Sequence, residues 1–129
     1  MSIETGVLLD NNYQPIFWHL PAGRNAGYLP DSRDLWDVIW ENRNQVWGFA
    51  HSHPGSGETR FSHEDVTTFA AVEAALGKRL HWPILTSDQE FFAVWSGPTR
   101  LDYTLFRWSS WKKNPAHFNW IDELRQRSY

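Results

Sequence analysis

The sequence predicts an α/β fold in which helices flank a mixed β-sheet. Three observations carry this expectation. Runs of strand character alternate with stretches of helical period, in the order strand–strand–helix–strand–helix–strands–helix. The runs Val7-Leu8-Leu9 and Val46-Trp47-Gly48-Phe49-Ala50 are continuously apolar, as buried strands are. The stretch Ser62 to Leu76 has a polar start, apolar positions at helical spacing and Gly77 as a stop. At 129 residues the chain is expected to be one domain, residues 1–129, with a single core.

Glu4 to Leu9 reads as the first strand. Glu4, Gly6 and Leu8 share one face, and Thr5, Val7 and Leu9 the other. Gly6 is expected to leave room around Glu4. Asp10-Asn11-Asn12 is a turn signal, and Gln14 to Leu20 completes a hairpin. His19 in that strand reads as structural or exposed. Pro21 to Pro30, with two Gly and two Pro, is a loop. Asp31 or Ser32 can cap a helix running to about Asn44, with Leu35, Trp36, Ile39 and Trp40 as its apolar stripe.

Gln45 to Ala50 is a buried strand that delivers His51 and His53 at its end. The helix from Ser62 follows, with apolar positions at Val66, Phe69, Ala70 and Leu76. Trp82 to Ser87, Phe91 to Ser96 and Leu101 to Trp108 read as strands, with Gly97-Pro98 as a turn. Trp111 to Lys113 is a loop. Asn114-Pro115 marks the start of a last helix with Phe118, Ile121 and Leu124 as its stripe.

Composition narrows the function classes. A formal net charge of −3 gives no basic footprint, which argues against nucleic acid as a partner. No apolar run is long enough to span a bilayer, so no membrane partner is expected. With no cysteine, neither disulfides nor thiolate ligands are available, which suits a reducing compartment such as the cytoplasm. The nine Trp either fill the core or offer an aromatic interaction surface.

The chemistry-bearing stretch is His51-Ser52-His53-Pro54, then a Gly-containing loop, then Ser62-His63-Glu64-Asp65. On a strand, residues i and i+2 point to one face, so both imidazoles can aim at one point. With Ser62 as a cap, Asp65 lies in the first helical turn, where side chains lean back toward the helix start. Two nitrogens and one carboxylate oxygen at one centre, with a position left open, is the donor set of a catalytic zinc site.

These elements resemble the signature of the JAMM (MPN+, JAB-domain) zinc metalloproteases, in their stand-alone prokaryotic or phage form. That signature runs upstream Glu, His-Ser/Thr-His-Pro, Ser-x-x-Asp. The upstream Glu is then Glu4, in Glu4-Thr5-Gly6-Val7-Leu8-Leu9. Glu41 is the other upstream carboxylate, but it falls on a helix. The loop between His53 and Ser62 holds eight residues, Pro54 to Phe61, one more than is usual in the family. Asp65 is preferred as third ligand because the Ser-x-x-Asp spacing is intact, with Glu64 as the alternative.

The resemblance implies a curved mixed sheet in a three-layer, cytidine-deaminase-like sandwich. It also implies Zn²⁺ on His51, His53 and Asp65. A zinc-held water, its pKa lowered toward about 7, would be deprotonated by Glu4 as general base. Ser62 would donate to the oxyanion, or it would serve only as the helix cap. His63 could close the site as a fourth ligand, but is expected not to. Ser52 is expected to orient backbone. The implied reaction is hydrolysis of a peptide or isopeptide amide, in a protein or peptide substrate such as a ubiquitin-like protein. The competing expectation is a non-catalytic MPN-type scaffold, or a binding module with a Trp-rich surface.

Overall fold

The computed structural model describes residues 2–57, 59–97, 102–108 and 118–129. Within them lie six strands: β1 (Gly6–Asp10), β2 (Pro15–His19), β3 (Val46–Ser52), β4 (Trp82–Leu85), β5 (Glu90–Trp95) and β6 (Tyr103–Arg107). The three described helices are α1 (Arg33–Glu41), α2 (His63–Leu76) and α3 (Asn119–Ser128). The strands form one mixed sheet in the order β2-β1-β3-β4-β5-β6. Every neighbouring pair is antiparallel except β3 and β4, whose parallel pairing is bridged in sequence by α2. Among the described residues, no helix is long and apolar enough to cross a membrane.

The sheet is buried on both faces, which is why its central strands are apolar without alternation. Leu8 joins Leu35 and Ile39 of α1, Val66, Phe69 and Val72 of α2, and Trp82 on one side. Val7, Leu9, Ala50 and Leu85 face Trp120, Ile121 and Leu124 of α3 on the other. The two faces of β1 divide as its sequence alternation predicts. On β3 the register against β1 shifts between Leu9 and Asp10, leaving Trp47 unopposed. Val46 therefore packs with the α1/α2 side, while Trp47 packs with the α3 side.

Helix α2 follows the sequence closely. Ser62 and Asp65 form a reciprocal capping box, and Gly77 ends the helix with φ 68°, a left-handed conformation that suits a residue without Cβ. Val66, Phe69 and Ala70 are buried as expected. Glu73, on the same buried face, is only 3 % exposed. It accepts from Leu80 N–H and Trp82 Nε1 at 2.9 Å, Tyr103 Oη at 2.5 Å and Arg79 at 3.0 Å. One carboxylate thus ties α2 to β4 and β6.

Several expected boundaries move. Helix α1 stops at Glu41 rather than Asn44, because the Asn42 side chain donates to Val38 O at 2.9 Å and a tight turn then leads into β3. Trp40 is not part of the packed stripe. It is 54 % exposed, with the Arg43 guanidinium 4.3 Å over its ring. Strand β1 begins at Gly6, so Glu4 precedes it. Gly6 makes room for Phe49 rather than for Glu4: a Cβ there would lie 2.2 Å from the Phe49 ring. The expected Asn114-Pro115 helix start, the Trp111–Lys113 loop, Leu101 and Pro98 lie outside the described residues.

Of the eight described Trp, Trp82, Trp108 and Trp120 are buried, Trp40 is exposed, and the rest are half-buried. Core filling is therefore their main use. His19, 2 % exposed with its Nε2 2.6 Å from Pro30 O, is structural.

Candidate metal centre

β3 runs through His51 and Ser52, and its Phe49, His51 and His53 face the α1/α2 side. His53, just past the strand, is fixed by its N–H to Leu85 O (2.8 Å) and by the Tyr129 hydroxyl donating to its carbonyl. The two imidazole Nε2 atoms are 2.8 Å apart. Asp65, from the first turn of α2, reaches both: Oδ1 is 3.3 Å from His51 Nε2 and Oδ2 is 3.2 Å from His53 Nε2. The sequence-derived trio therefore converges.

Ligand atoms placed tetrahedrally around an ion at about 2.0–2.1 Å stand about 3.3 Å from one another. The two His–Asp separations match that spacing, and the His–His separation falls slightly inside it. The two His–Asp distances are made by different carboxylate oxygens, and the imidazoles with a carboxylate, Asp65 or Glu4, could hold a metal ion. The outer contacts favour the same arrangement. With Nε2 as ligand atom, His53 Nδ1 carries the hydrogen and donates to Thr59 Oγ1 at 2.9 Å.

Glu4 is the second carboxylate. It forms no ion pair with either imidazole among the described residues, yet Glu4, His51 and His53 each offer a ligand atom within 4.8 Å of the others. Burial pushes its pKa up to about 7. The nearby His53 opposes this rise, and the Asp65 and Glu64 charges add to it. For Asp65, burial also pushes upward, but hydrogen bonds from His51 and His53, the His51 charge and the Ser62 N–H outweigh it. Its carboxyl is held far below the usual range. Two acids beside the same imidazoles are thereby shifted in opposite directions.

Ser62 caps α2: its Oγ accepts from Asp65 N–H at 3.0 Å, while Asp65 Oδ2 accepts from Ser62 N–H at 2.8 Å. The capping oxygen acts only as acceptor there, so the hydroxyl hydrogen is available for a second partner. Ser62 also lines the groove. Ser52 turns to the opposite face and orients backbone, as expected. Its Oγ takes Thr5 N–H at 2.9 Å and the Ser128 hydroxyl at 2.8 Å. Glu64 and His63 are exposed. Glu64 lines the groove, and neither joins the imidazole cluster. Glu41 is exposed on α1, away from that cluster.

The 54–61 loop is tied to the β4–β5 turn. Ser87 N–H donates to Gly55 O, Gly57 N–H to Asp88 Oδ1 and Thr86 Oγ1 to Gly57 O. His51, His53 and Asp65 line a groove of about 820 Å³, with Tyr28, Trp36, Phe49 and Phe61 among its apolar walls.

Sequence reasoning missed four contributors. Arg24 and Asn25 hold the main chain of Glu4, Thr59 orients His53, and Tyr129 holds its carbonyl. Only Thr59 carried a signal, as a hydroxyl in the short loop after the His pair. No protein-family model and no curated protein matches this sequence.

Proposed function

We propose that the chain is a zinc-dependent metallopeptidase of the JAMM (MPN+) type, hydrolysing a peptide or isopeptide amide bond in the groove. The observation behind this reading is the convergence of His51, His53 and Asp65, with Glu4 standing just off the same point. On this reading His51, His53 and Asp65 would hold Zn²⁺, and the sandwich is a JAB-like domain with a reducing, cytoplasmic setting. When bound, the metal would supply an activated water and polarise the amide carbonyl.

The chain's own residues do the rest. Glu4, partly desolvated and poised near neutral pH, accepts the proton of the attacking water and returns it to the leaving amine. Ser62 keeps its oxygen on the Asp65 N–H and turns its hydroxyl hydrogen toward the carbonyl oxygen as negative charge builds there. Thr59, through His53 Nδ1, keeps the imidazole in the orientation that presents Nε2. The groove walls hold an extended stretch of polypeptide, such as the tail of a ubiquitin-like protein, away from bulk water.

The test is elemental analysis of purified protein, followed by assay on peptide and ubiquitin-like conjugates. Near-stoichiometric zinc in the parent and its loss in Asp65→Ala are expected. Glu4→Gln should keep the zinc and lose turnover by 100-fold or more, on the order expected for a general base. A parent that stays metal-free after incubation with zinc would overturn the reading.

A further inference from the structure

Glu4 lies ahead of β1, where no strand ladder fixes it. Between Ile3, whose N–H donates to Ser128 O, and Thr5, bonded to Ser52, its own main chain is held by the loop after β2. Glu4 N–H donates to Asn25 O at 2.9 Å. The Arg24 guanidinium donates to Glu4 O at 3.1 Å and to Thr5 Oγ1 at 2.5 Å. Asn25 is itself locked, its N–H on Tyr28 O at 2.9 Å and its Oδ1 on Gly27 N–H at 2.9 Å. Among the described residues no ion pair joins Arg24 to the Glu4 carboxylate. The cation is engaged by main chain and hydroxyl, so the acid beside the imidazoles is left unneutralised.

We infer that Arg24 is a positioning residue for Glu4: it fixes the main chain that aims the Glu4 carboxylate at the space in front of His51 and His53. The inference rests on the metal-centre reading. The physical reason is the short reach involved. Glu4 must stay within a few ångströms of the ligand nitrogens without becoming their ion-pair partner, and a displacement of about 1 Å is enough to cost a base much of its effect. Both bonds come from one guanidinium nitrogen, Nη1, whose two hydrogens serve the Glu4 carbonyl and the Thr5 hydroxyl at once.

The experiment uses the full chain loaded with Co²⁺, which takes the ligands of zinc and reports its coordination by visible absorption. Parent, Glu4→Gln, Arg24→Ala and Arg24→Lys are compared, with melting temperatures recorded alongside. All four are expected to bind Co²⁺. The Arg24→Ala spectrum should move toward that of Glu4→Gln, while Arg24→Lys, whose ammonium can still donate to both acceptors, should stay nearer the parent. Should Arg24→Ala fail to fold, Thr5→Val removes one of the two acceptors at nearly constant volume and should shift the spectrum in the same direction by less.

An Arg24→Ala protein with a lowered melting temperature but the parent spectrum would overturn the inference and leave Arg24 as a structural tie. A Glu4→Gln spectrum identical to the parent would overturn it too, because Glu4 would then not border the open position. A parent that takes up no Co²⁺ would overturn the metal-centre reading, and the inference with it.

Discussion

Helix α2 carries a buried acid and a half-buried one, and they are treated in opposite ways. Glu73, in its third turn, has its carboxylate taken by four donors: Arg79 and Leu80 from the connection to β4, Trp82 of β4 and Tyr103 of β6. Asp65, in its first turn, makes one backbone bond inside the cap and turns toward two imidazoles that also want a partner. The first acid is saturated and holds the fold. The second meets only one backbone donor and two imidazoles, groups that could together hold a metal ion. Burial alone does not separate a structural carboxylate from a functional one. The count and kind of its partners does.

The sharpest way to break the comparison is to remove each acid. Glu73→Ala strands the Leu80 and Trp82 N–H groups and the Tyr103 hydroxyl in the core, and should cost about 3–5 kcal/mol in denaturant unfolding. Metal content of the fraction that remains folded should not change. A cost below about 1 kcal/mol would show that water reaches those donors and that the strut is not saturated. Asp65→Ala, by contrast, loses one side of a capping box and should cost about 1 kcal/mol in metal-free protein while abolishing metal uptake.

A smaller effect is expected one step out from the metal set. Thr59→Val removes the acceptor of His53 Nδ1 without touching a ligand. Metal affinity, measured by competition with a chelator, should fall about 10-fold or more, with little change in melting temperature. Unchanged affinity would mean that the Leu85 and Tyr129 contacts to the His53 main chain already fix the ring.

The smallest effect concerns pH. His19 is buried, and burial lowers its pKa below the ordinary value of 6.5, although the Pro30 carbonyl pulls the other way. A histidine kept neutral by the fold lets the unfolded chain bind the proton first. Its contribution is therefore fully present above about pH 6.5 and is lost as pH falls from there toward the lowered folded value. His19→Gln should flatten the stability profile across that window, as read by urea midpoints at several pH values. A profile identical to the parent would assign the dependence to His81, which is lowered by burial as well.

Much of this molecule was legible in local sequence. The cap, stripe and glycine stop of α2 all lie within a few residues of one another, so their physics is local. The His-x-His pair and the Ser-x-x-Asp turn are likewise short-range geometries, and the structure brings them together. What was illegible depends on long-range packing. Ser52 meets Ser128 and Thr5, and Tyr129 meets His53, across most of the chain. Glu73 sits where helical periodicity calls for an apolar residue, and its partners on β4 and β6 could not be read beforehand. The space beside Gly6 went to Phe49, because a residue on a strand neighbour distant in sequence is invisible in the hexapeptide around it.

The pairing of Gly6 with His51 has a consequence in time. His51, His53 and Asp65 belong to one strand–loop–helix stretch, which closes by a short loop and can gather early as the chain folds. Glu4 arrives only when β1 has docked antiparallel on β3, and a slip of one residue there would swing it to the opposite face. On the proposed reading, a half-folded chain could capture its ion before it owned a base. Hydrolytic competence would then be the last property acquired, and a nascent chain would be no danger to its neighbours.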